Sequence, residues 1–509
     1  MSTPPPSSDS SSRSAGSGDL PPHATDSVTP ESAGQTRTER DSMGEMAVPA
    51  TALYGASTAR AVDNFPIAQR PLAPAIIHAF GHLKAACAQA NLDLDKLPKD
   101  EAQAIIAASD EVAQGKHDPH FPVDVYQTGS GTSTNMNANE VIANLANQKL
   151  GQPSSPGGDS DPDAQPRVHP NDHVNMGQSS NDTFPTAMHI AAAIALDQQL
   201  QPALQKLHDA LQDKAQAWDH ILKTARTHLM DATPIRMGQV FGGYAAQIRY
   251  ATQPIQQATT VVLESMPIGG TAVGTGINTH PDFAGKVCDV LSQRTGLTFK
   301  ESDNHPAAQA AKDVFVYAHA QLKTVAVTLS KIANDIRHLG SGPRCGLGEL
   351  SLPAIQPGSS IMPGKVNPVI CESAMQVACR VIGNDATVTT AGLGGVGSLF
   401  ELNVAMPVMI DAFLESTHLL TNVTHVLVDK LIVGLEVNEE RCRRLLEDSL
   451  MTITALAPEI GYDQCSKLAK QAHAEGKNIK QLVAEHNLMS DQRLDELMDY
   501  DRMTRPTRD

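Results

Sequence analysis

The stretch AAQAAKDVFVYAHAQLKTVAVTLSKIANDIRHL, residues 307–339, decides the fold, and it contains neither glycine nor proline. Large aliphatic side chains recur in it at alternating steps of three and four, at Leu322, Val325, Leu329, Ile332, Ile336 and Leu339. This spacing predicts one apolar face of a long α-helix. Gly340 follows directly and predicts its end. At about 1.5 Å per residue the helix would be roughly 50 Å long, which is typical of a helical bundle.

Further segments also have the sequence pattern of long helices. The stretch from Phe184 to Trp218 predicts a long helix with a kink at Pro202. Residues 238–262, 368–391 and 401–430 predict three more, the last interrupted at Pro407. Alternating patterns typical of strands are scarce. We therefore predict an all-α protein with a central long-helix bundle, and helices this long often pair across subunits.

The organisation along the chain follows from shifts in composition. Residues 1–45 are rich in Ser, Pro, Gly and Thr and predict a disordered tail. A mitochondrial transit peptide is the alternative, but the acidic residues of the tail disfavour it. After Gly434 the predicted helices become short. We expect an N-terminal domain over 46–180, a central bundle over 181–435 and a small helical domain over 436–509.

Bulk properties narrow the class of protein. The net charge is −17 and the isoelectric point is about 5.5, which disfavours nucleic acid and anionic membranes as partners. No apolar run reaches the length of a membrane span, and the N-terminus lacks the apolar core of a signal peptide. The seven cysteines are scattered without metal-binding or redox spacing. We expect a cytoplasmic protein in a reducing compartment.

Two polar stretches with few charged residues each precede a predicted helix. TGSGTSTNMNANE (128–140) has Ser130 and Thr132 before a helix expected from about Asn135, and HPNDHVNMGQSSND (169–182) ends in Ser179, Ser180 and Asn181 before the helix expected from Phe184. Hydroxyl groups beside the free N–H groups of a helix N-terminus bind anions such as carboxylates. Simple N-capping would also explain either stretch.

A third stretch, RTHLMDATP (226–234), contains a histidine. His228 lies between Thr227 and the nearby Asp231, and a histidine can transfer protons near neutral pH. A structural role is the alternative. No carboxylate cluster accompanies this histidine, so we expect no metal site.

A fourth stretch, GSSIMPGKVNP (358–368), looks at first like a phosphate-binding loop. That loop requires a glycine where this chain has Pro363 and a hydroxyl group where it has Val366, so this interpretation fails. Lys365 and Asn367 could instead bind a carboxylate, and Glu372 falls in the first turn of the following helix.

Taken together, these stretches resemble those of class II fumarases, in the fumarase/aspartase superfamily. GSSIMPGKVNP is similar to the superfamily signature. GGTAVGTGINTHP (269–281), SGPRCG (341–346) and FELNVAMP (400–407) also look like the fumarase versions, in the expected order. The resemblance runs from about residue 41 nearly to the C-terminus. It implies a homotetramer in which three subunits build each active site.

The resemblance also implies residue roles. Ser359 would be the catalytic base, and His228 would serve the acid/base step with help from Glu372. Substrate carboxylates would be held by Ser130, Gly131, Thr132, Ser179, Ser180, Asn181, Thr227, Ser360, Lys365, Val366 and Asn367. An accessory dicarboxylate site would comprise His169, Pro170, Asn171 and Asp172. The implied reaction is the reversible hydration of fumarate to (S)-malate in the tricarboxylic acid cycle, and it requires neither cofactor nor metal.

Other members of the superfamily are the competing interpretations. Aspartate ammonia-lyase usually has alanine at the position of Gly364 and glutamine at that of His228, which favours fumarase. Argininosuccinate and adenylosuccinate lyases fit Gly364 and Val366 poorly. A non-catalytic structural relative is the third alternative, and the joint presence of the catalytic residue types weighs against it.

Overall fold

The computed structural model describes residues 34–152 and 167–506. The described chain is mostly helical, which confirms the predicted fold class. Its α-helices are α1 Ala56–Asn64, α2 Pro74–Asp93, α3 Lys99–Ala113, α4 Thr132–Lys149, α5 Ser180–Ile194, α6 Gln201–Ala217, α7 Met237–Leu263, α8 Phe283–Thr295, α9 His305–Ala310, α10 Asp313–Leu339, α11 Val369–Gly392, α12 Met406–Leu427, α13 Glu439–Asp448, α14 Ala457–Ile460, α15 Tyr462–Glu475, α16 Ile479–Glu485 and α17 Asp491–Leu497.

The strands in these ranges are short and form four antiparallel pairs. They are β1 Thr36–Asp41 with β2 Gly44–Pro49, β3 Leu222–Thr227 with β4 Met230–Arg236, β5 Leu350–Ser351 with β8 Glu436–Val437, and β6 Ser398–Leu399 with β7 Leu402–Asn403. None of these pairs extends into a larger sheet. The strands therefore serve as hairpins and ties around a helical core.

The central bundle contains α7, α10, α11 and α12, with α5 and α6 packed beside them. The six aliphatic residues that predicted α10 are all buried. The helix itself is shorter than predicted, because α9 and α10 are separated at Ala311, whose backbone is extended. The Lys312 ammonium donates to the carbonyls of Ala308, Gln309 and Ala311, and so satisfies groups that the break leaves without helical partners.

The two prolines that the sequence predicted to disturb helices lie in different settings. The helical stretch that contains Pro202 passes through a π-helical turn, Ala195–Leu200, and Pro202 lies in the first turn of α6 just after it. Pro407 lies in the first turn of α12, so it starts that helix and does not interrupt it. The missing N–H of Pro407 falls where the helix needs no donor. Pro202 instead lies within a continuous helical run, directly after the π-helical turn.

The predicted boundary of the tail at residue 45 is wrong. Residues 36–49 form the β1–β2 hairpin, and the Arg37 guanidinium ties it to the body by donating to the carbonyls of Pro49, Ala50, Ala52 and Tyr54. Residues 1–33, and residues 153–166 ahead of the second polar stretch, lie outside the described residues.

Among the residues that the structure describes, the buried apolar side chains form two clusters. The larger runs from Leu72 to Cys442 and joins the N-terminal helices to the bundle, and the smaller runs from Ile453 to Met498. Over the ranges that the structure describes, no helix is both long and apolar enough to cross a bilayer.

Candidate active site

The first two polar stretches meet in the structure at the N-termini of α4 and α5. The Thr132 hydroxyl lies 2.8 Å from the Ser130 hydroxyl and 2.8 Å from the Ser180 hydroxyl. Both helices begin earlier than predicted, at Thr132 and at Ser180. The three hydroxyl groups therefore stand among the first N–H groups of two helices, which is a favourable place for an anion.

Gly131 makes this approach of the two helices possible. Its φ is +72°, a left-handed conformation, and a Cβ atom at this position would lie 2.0 Å from the ring of Phe184 in α5. Any other residue would push the two N-termini apart. The glycine is thus required by packing as well as by backbone conformation.

Ser179 caps α5 and is also available to a ligand. Its Oγ accepts the N–H of Asn181 at 3.2 Å, while its own N–H donates to Asp182 Oδ1 at 2.9 Å. The Ser179 hydroxyl accepts in this arrangement, so its hydrogen can still be donated to an anion. N-capping and anion binding are therefore compatible here.

Asp182 is a site-forming residue that sequence reasoning missed. Its buried carboxylate also accepts the N–H groups of Gly269 at 3.1 Å and Thr271 at 2.8 Å, and Asn181 Nδ2 donates to the Ala272 carbonyl at 2.9 Å. Burial raises the pKa of Asp182 to about 6, against the effect of these hydrogen bonds. The spacing S-x-x-D at Ser179 is a capping-box signal that could have identified it.

The third stretch forms the turn between β3 and β4. His228 and Leu229 both have positive φ, +58° and +63°, as a two-residue hairpin turn requires. His228 is exposed, and it has no hydrogen bond or ion pair to any described residue, Asp231 included. Thr227 is exposed beside it.

A buried ion cluster anchors this hairpin at its base. The Glu349 carboxylate is fully buried and lies 3.1 Å from Lys223 Nζ and 2.8 Å from Arg226 Nη1. Two cations around one carboxylate hold β3 against the segment that follows α10. The sequence predicted neither Glu349 nor its partners, because their separation along the chain hides the cluster.

The fourth stretch is an exposed loop that ends where α11 begins. Ser359 Oγ accepts the N–H groups of Ile361 at 3.3 Å and Met362 at 3.1 Å. The loop is closed by Asn367 Nδ2, which donates to the Gly358 carbonyl at 2.6 Å, and by the Gly358 N–H, which donates to the Lys365 carbonyl at 2.9 Å. Ser360, Lys365 and Val366 are exposed, and Glu372 lies in the first turn of α11.

The predicted site residues thus fall into three groups within one chain. One group comprises Ser130, Gly131, Thr132, Ser179, Ser180 and Asn181; the second comprises Thr227 and His228; the third comprises Ser359, Ser360, Lys365, Val366, Asn367 and Glu372. No hydrogen bond or ion pair between described residues joins one group to another. A single chain therefore does not assemble all the predicted side chains around one point through direct contacts.

The predicted accessory residues form a local turn. His169 Nδ1 accepts the N–H groups of Asn171 at 3.3 Å and Asp172 at 3.2 Å, and caps the π-helical turn Pro170–Val174. The His169 N–H donates to His173 Nδ1 at 2.8 Å. All these contacts are internal to the turn, and the His169 side chain is 43% exposed.

Comparison with known proteins identifies the family. Residues 44–383 match a family described as lyase, and residues 453–505 match one described as fumarase C C-terminus. The chain is 52% identical to a class II fumarate hydratase of Corynebacterium glutamicum over 461 residues, which cover 90% of this chain and 93% of that protein. A class II enzyme of Mycobacterium tuberculosis is 52% identical over 456 residues, which cover 89% and 92%.

A solved structure agrees with the sequence comparisons. The crystal structure of a class II fumarase from Schistosoma mansoni matches with a TM-score of 0.87 at 36% identity, and the match covers 92% of this chain and 99% of that one. The sequence identity, the fold and the two family matches therefore all assign the chain to the same family. The chain is a lyase that belongs to the class II fumarate hydratase family.

Proposed function

We propose that this protein is a fumarate hydratase, which interconverts fumarate and (S)-malate in the tricarboxylic acid cycle. The observation that carries the proposal is the chain of hydroxyl groups from Ser130 through Thr132 to Ser180, at the N-termini of α4 and α5. Two helix ends with converging hydroxyl groups suit a small dianion that has no other charged group to recognise. The substrate carboxylates bind there, with further contacts from Gly131, Ser179, Asn181 and Thr227.

Ser359 acts as the base that removes the C3 proton of malate. A serine hydroxyl is a poor base unless its alkoxide form is stabilised. The two loop N–H groups that donate to Ser359 Oγ support this role, because hydrogen bonds to an anionic form favour it. Lys365, with Ser360, Val366 and Asn367 beside it, brings a positive charge to the same loop.

Removal of the proton creates a carbanion whose charge spreads into the adjacent carboxylate, so the site must stabilise nearly three negative charges. Helix N-termini and Lys365 supply the required field without reorganising during the reaction. His228, assisted by Glu372, then transfers the proton that accompanies loss or addition of water at C2. These residues account for the whole reaction without a cofactor.

The enzyme works as a homotetramer in which different subunits complete each site. The three groups of site residues have no described contact with one another in one chain, which supports shared sites. Large apolar side chains are exposed next to two of them, Leu229 at 80% beside His228 and Ile361 at 83% in the Ser359 loop. Such side chains suit contact with another subunit.

Two further proposals concern an accessory site and the location of the enzyme. His169, Pro170, Asn171 and Asp172 form an accessory dicarboxylate site, supported by the partial exposure of the His169 imidazole. The enzyme is located in the cytoplasm, supported by its free cysteines at every described cysteine position.

The decisive experiment follows the ultraviolet absorbance of fumarate after it is mixed with the purified protein, with and without ammonia. We expect fumarate loss that does not depend on ammonia, with malate as the product. Dependence on ammonia would assign an ammonia-lyase, and no reaction with either would assign a non-catalytic relative.

The serine assignment is tested in the same assay. Ser359→Ala should lower kcat by several orders of magnitude while the protein stays folded, because the loop hydroxyl acts in the chemical step and packs against little. The matched control is Ser265→Ala, whose exposed hydroxyl only donates to the Val261 carbonyl. If Ser359→Ala retains half the activity of the wild type, Ser359 is not the base.

A further inference from the structure

Lys84 is a charged residue in the interior of the N-terminal helices, and none of the roles described above involves it. It lies on α2 within the largely apolar run AIIHAFGHLKAACAQAN, residues 75–91, and it has 0% exposure. A fully buried lysine is rare because moving an ammonium group out of water is costly. Its position therefore requires a compensating interaction.

The partners of Lys84 are neutral. Its Nζ donates to Asn175 Oδ1 at 3.0 Å and to Gln178 Oε1 at 2.9 Å. Among the described residues no carboxylate lies within ion-pair distance of Nζ; Asp182 and the Cys87 thiol are the nearby titratable groups that act on it. The amide oxygens satisfy the hydrogen bonds but leave the charge without a direct counter-ion.

The same hydrogen bonds lead from Lys84 to both substrate-binding helix ends. Asn175 Oδ1 also accepts from Asn135 Nδ2 at 3.2 Å, in the first turn of α4. The Asn135 side-chain oxygen in turn accepts from the Thr183 hydroxyl at 3.1 Å, in the first turn of α5. Gln178 directly precedes Ser179. Lys84 and Asn135 therefore share the Asn175 oxygen as their acceptor, and this oxygen connects the buried ammonium group to the first turns of both helices.

The charge state at neutral pH follows from the same burial. Desolvation lowers the pKa of Lys84 to about 8, so most molecules carry the charged form near pH 7. A positive charge in a poorly solvated region acts over a longer distance than one at the surface. Here it lies behind the helix ends whose own positive poles face the ligand.

We propose that Lys84 is a positioning residue for the substrate site, and that its buried charge favours dianionic over monoanionic ligands there. The proposal rests on the proposed function, since the favoured ligand is the four-carbon dicarboxylate. Lys84 touches neither substrate nor reacting atoms in this scheme. It holds α4 and α5 at their spacing through Asn175 and Gln178, and its charge is balanced when a dicarboxylate binds.

The test compares Lys84→Met, which keeps the length of the side chain but removes its charge and donors, with wild type. Competitive inhibition is measured with succinate and with its monoamide, succinamate, which carries one negative charge fewer. We expect KM for fumarate and Ki for succinate to rise about tenfold to a hundredfold, the range for a buried hydrogen bond that involves a charge. Ki for succinamate should rise by a clearly smaller factor, and kcat should fall as well, because the lost charge also stabilises the more negative transition state.

The matched control is Lys149→Met, at the opposite end of α4, which removes the same formal charge from a surface ion pair with Glu111. It should leave both inhibition constants unchanged. If Lys84→Met does not fold, Lys84→Gln, which keeps a neutral donor, should show the same selective loss of dianion binding. Equal factors for succinate and succinamate, or unchanged constants in a folded Lys84 variant, would overturn the proposal.

The experiment distinguishes failure of the Lys84 proposal from failure of the proposed function. A wild-type protein that does not hydrate fumarate contradicts the proposed function itself. An active wild type whose Lys84 variants bind dicarboxylates normally contradicts only the role of Lys84.

Discussion

Two features of the structure require glycine at position 131. Its backbone is left-handed, and the Phe184 ring occupies the space that a Cβ atom would need. We predict that Gly131→Ala lowers the affinity for dicarboxylates strongly and destabilises the protein by about 1–3 kcal/mol, because overpacking adds to backbone strain. Calorimetric binding of succinate and thermal unfolding measure the two effects. Gly296→Ala is the matched control, since Gly296 also has positive φ but has no atom within 4 Å of its Cβ position.

That control separates the two causes. The strain of φ +75° at Gly296 should lower stability without changing succinate binding. If Gly131→Ala binds succinate as well as wild type does, the close approach of α4 and α5 does not define the carboxylate site.

His189 predicts how stability depends on pH. It is buried, its Nδ1 lies 2.6 Å from the Val262 carbonyl, and burial lowers its pKa from 6.5 to about 4. Because the unfolded chain binds this proton more tightly, the contribution of His189 to stability is complete above about pH 6.5 and is lost as pH falls toward 4. It amounts to about 3 kcal/mol at most.

The measurement compares wild type with His189→Gln at equal protein concentration from pH 7 to pH 4. The variant cannot gain a proton at this position, so the advantage of the wild type in unfolding free energy should shrink as pH falls. Asp182, whose raised pKa of about 6 gives the opposite slope, is present in both proteins and cancels. The control is His418→Gln on the exposed face of α12, whose difference from wild type should stay nearly constant.

At this scale the sequence located hydroxyl groups near two helix starts, and it missed contacts between residues that are distant in the chain. Ser130, Thr132 and Ser180 were identified by their position before predicted helices. This position can be recognised from neighbouring residues in the sequence. Lys84 and Glu349 were missed, since each acts through partners that are distant in the sequence. Only the fold brings a lysine of α2 next to Asn175.

At the scale of elements, hydrophobic periodicity predicted the long helices but not their ends. Six spaced aliphatic residues identified α10, and all of them are buried. Its start was missed because the polar and small residues 307–312 fit a helix equally well. The break at Ala311 depends instead on tertiary contacts of α9, such as that of Gln309 Nε2 with the Thr271 carbonyl at 2.7 Å.

The sequence also did not predict the β1–β2 hairpin. Truncation of the N-terminus tests what this hairpin contributes to stability. Deleting residues 1–33 should change neither the melting temperature nor kcat. Deleting residues 1–41 removes β1, the four carbonyl contacts of Arg37 and the ion pair of Asp41 with Arg60. We expect the melting temperature of this longer deletion to fall by several degrees.

The shorter deletion is the matched control for the longer one, and circular dichroism on heating compares them. Equal melting temperatures for both would mean that the hairpin adds no stability. A drop already at residue 33 would mean that the preceding segment packs on the body.

At the scale of the whole molecule, the described residues form two clusters of buried apolar side chains. The large cluster joins the N-terminal helices to the bundle, and the small cluster runs from Ile453 to Met498. The shortening of the predicted helices after Gly434 gave an expected boundary near residue 435, which remains a prediction, since the large cluster extends past it to Cys442. The expected boundary near residue 180 remains a prediction, since the large cluster is continuous across it. Side chains from both sides of a boundary can share one core, and composition alone does not reveal this.

The separation of His228 from Ser359 is the property of the whole molecule with the clearest consequence for catalysis. One lies at a hairpin tip and the other in a loop before α11, and no described contact joins them. If they meet only across a subunit boundary, an inactive Ser359→Ala protein and an inactive His228→Asn protein should complement each other after they are unfolded and refolded together. Each hybrid site can then draw an intact serine and an intact histidine from different chains.

The expected yield follows from random assortment. Each position is intact with a probability of one half, so about a quarter of the sites in mixed tetramers carry both residues. Activity should rise from near zero toward about that fraction of wild type, with an unchanged KM because the restored sites are complete. Mixing the folded proteins without dissociation is the control and should restore nothing. Mixed tetramers identified by native mass spectrometry that remain inactive would place both residues in one chain, and the shared site would have to be abandoned.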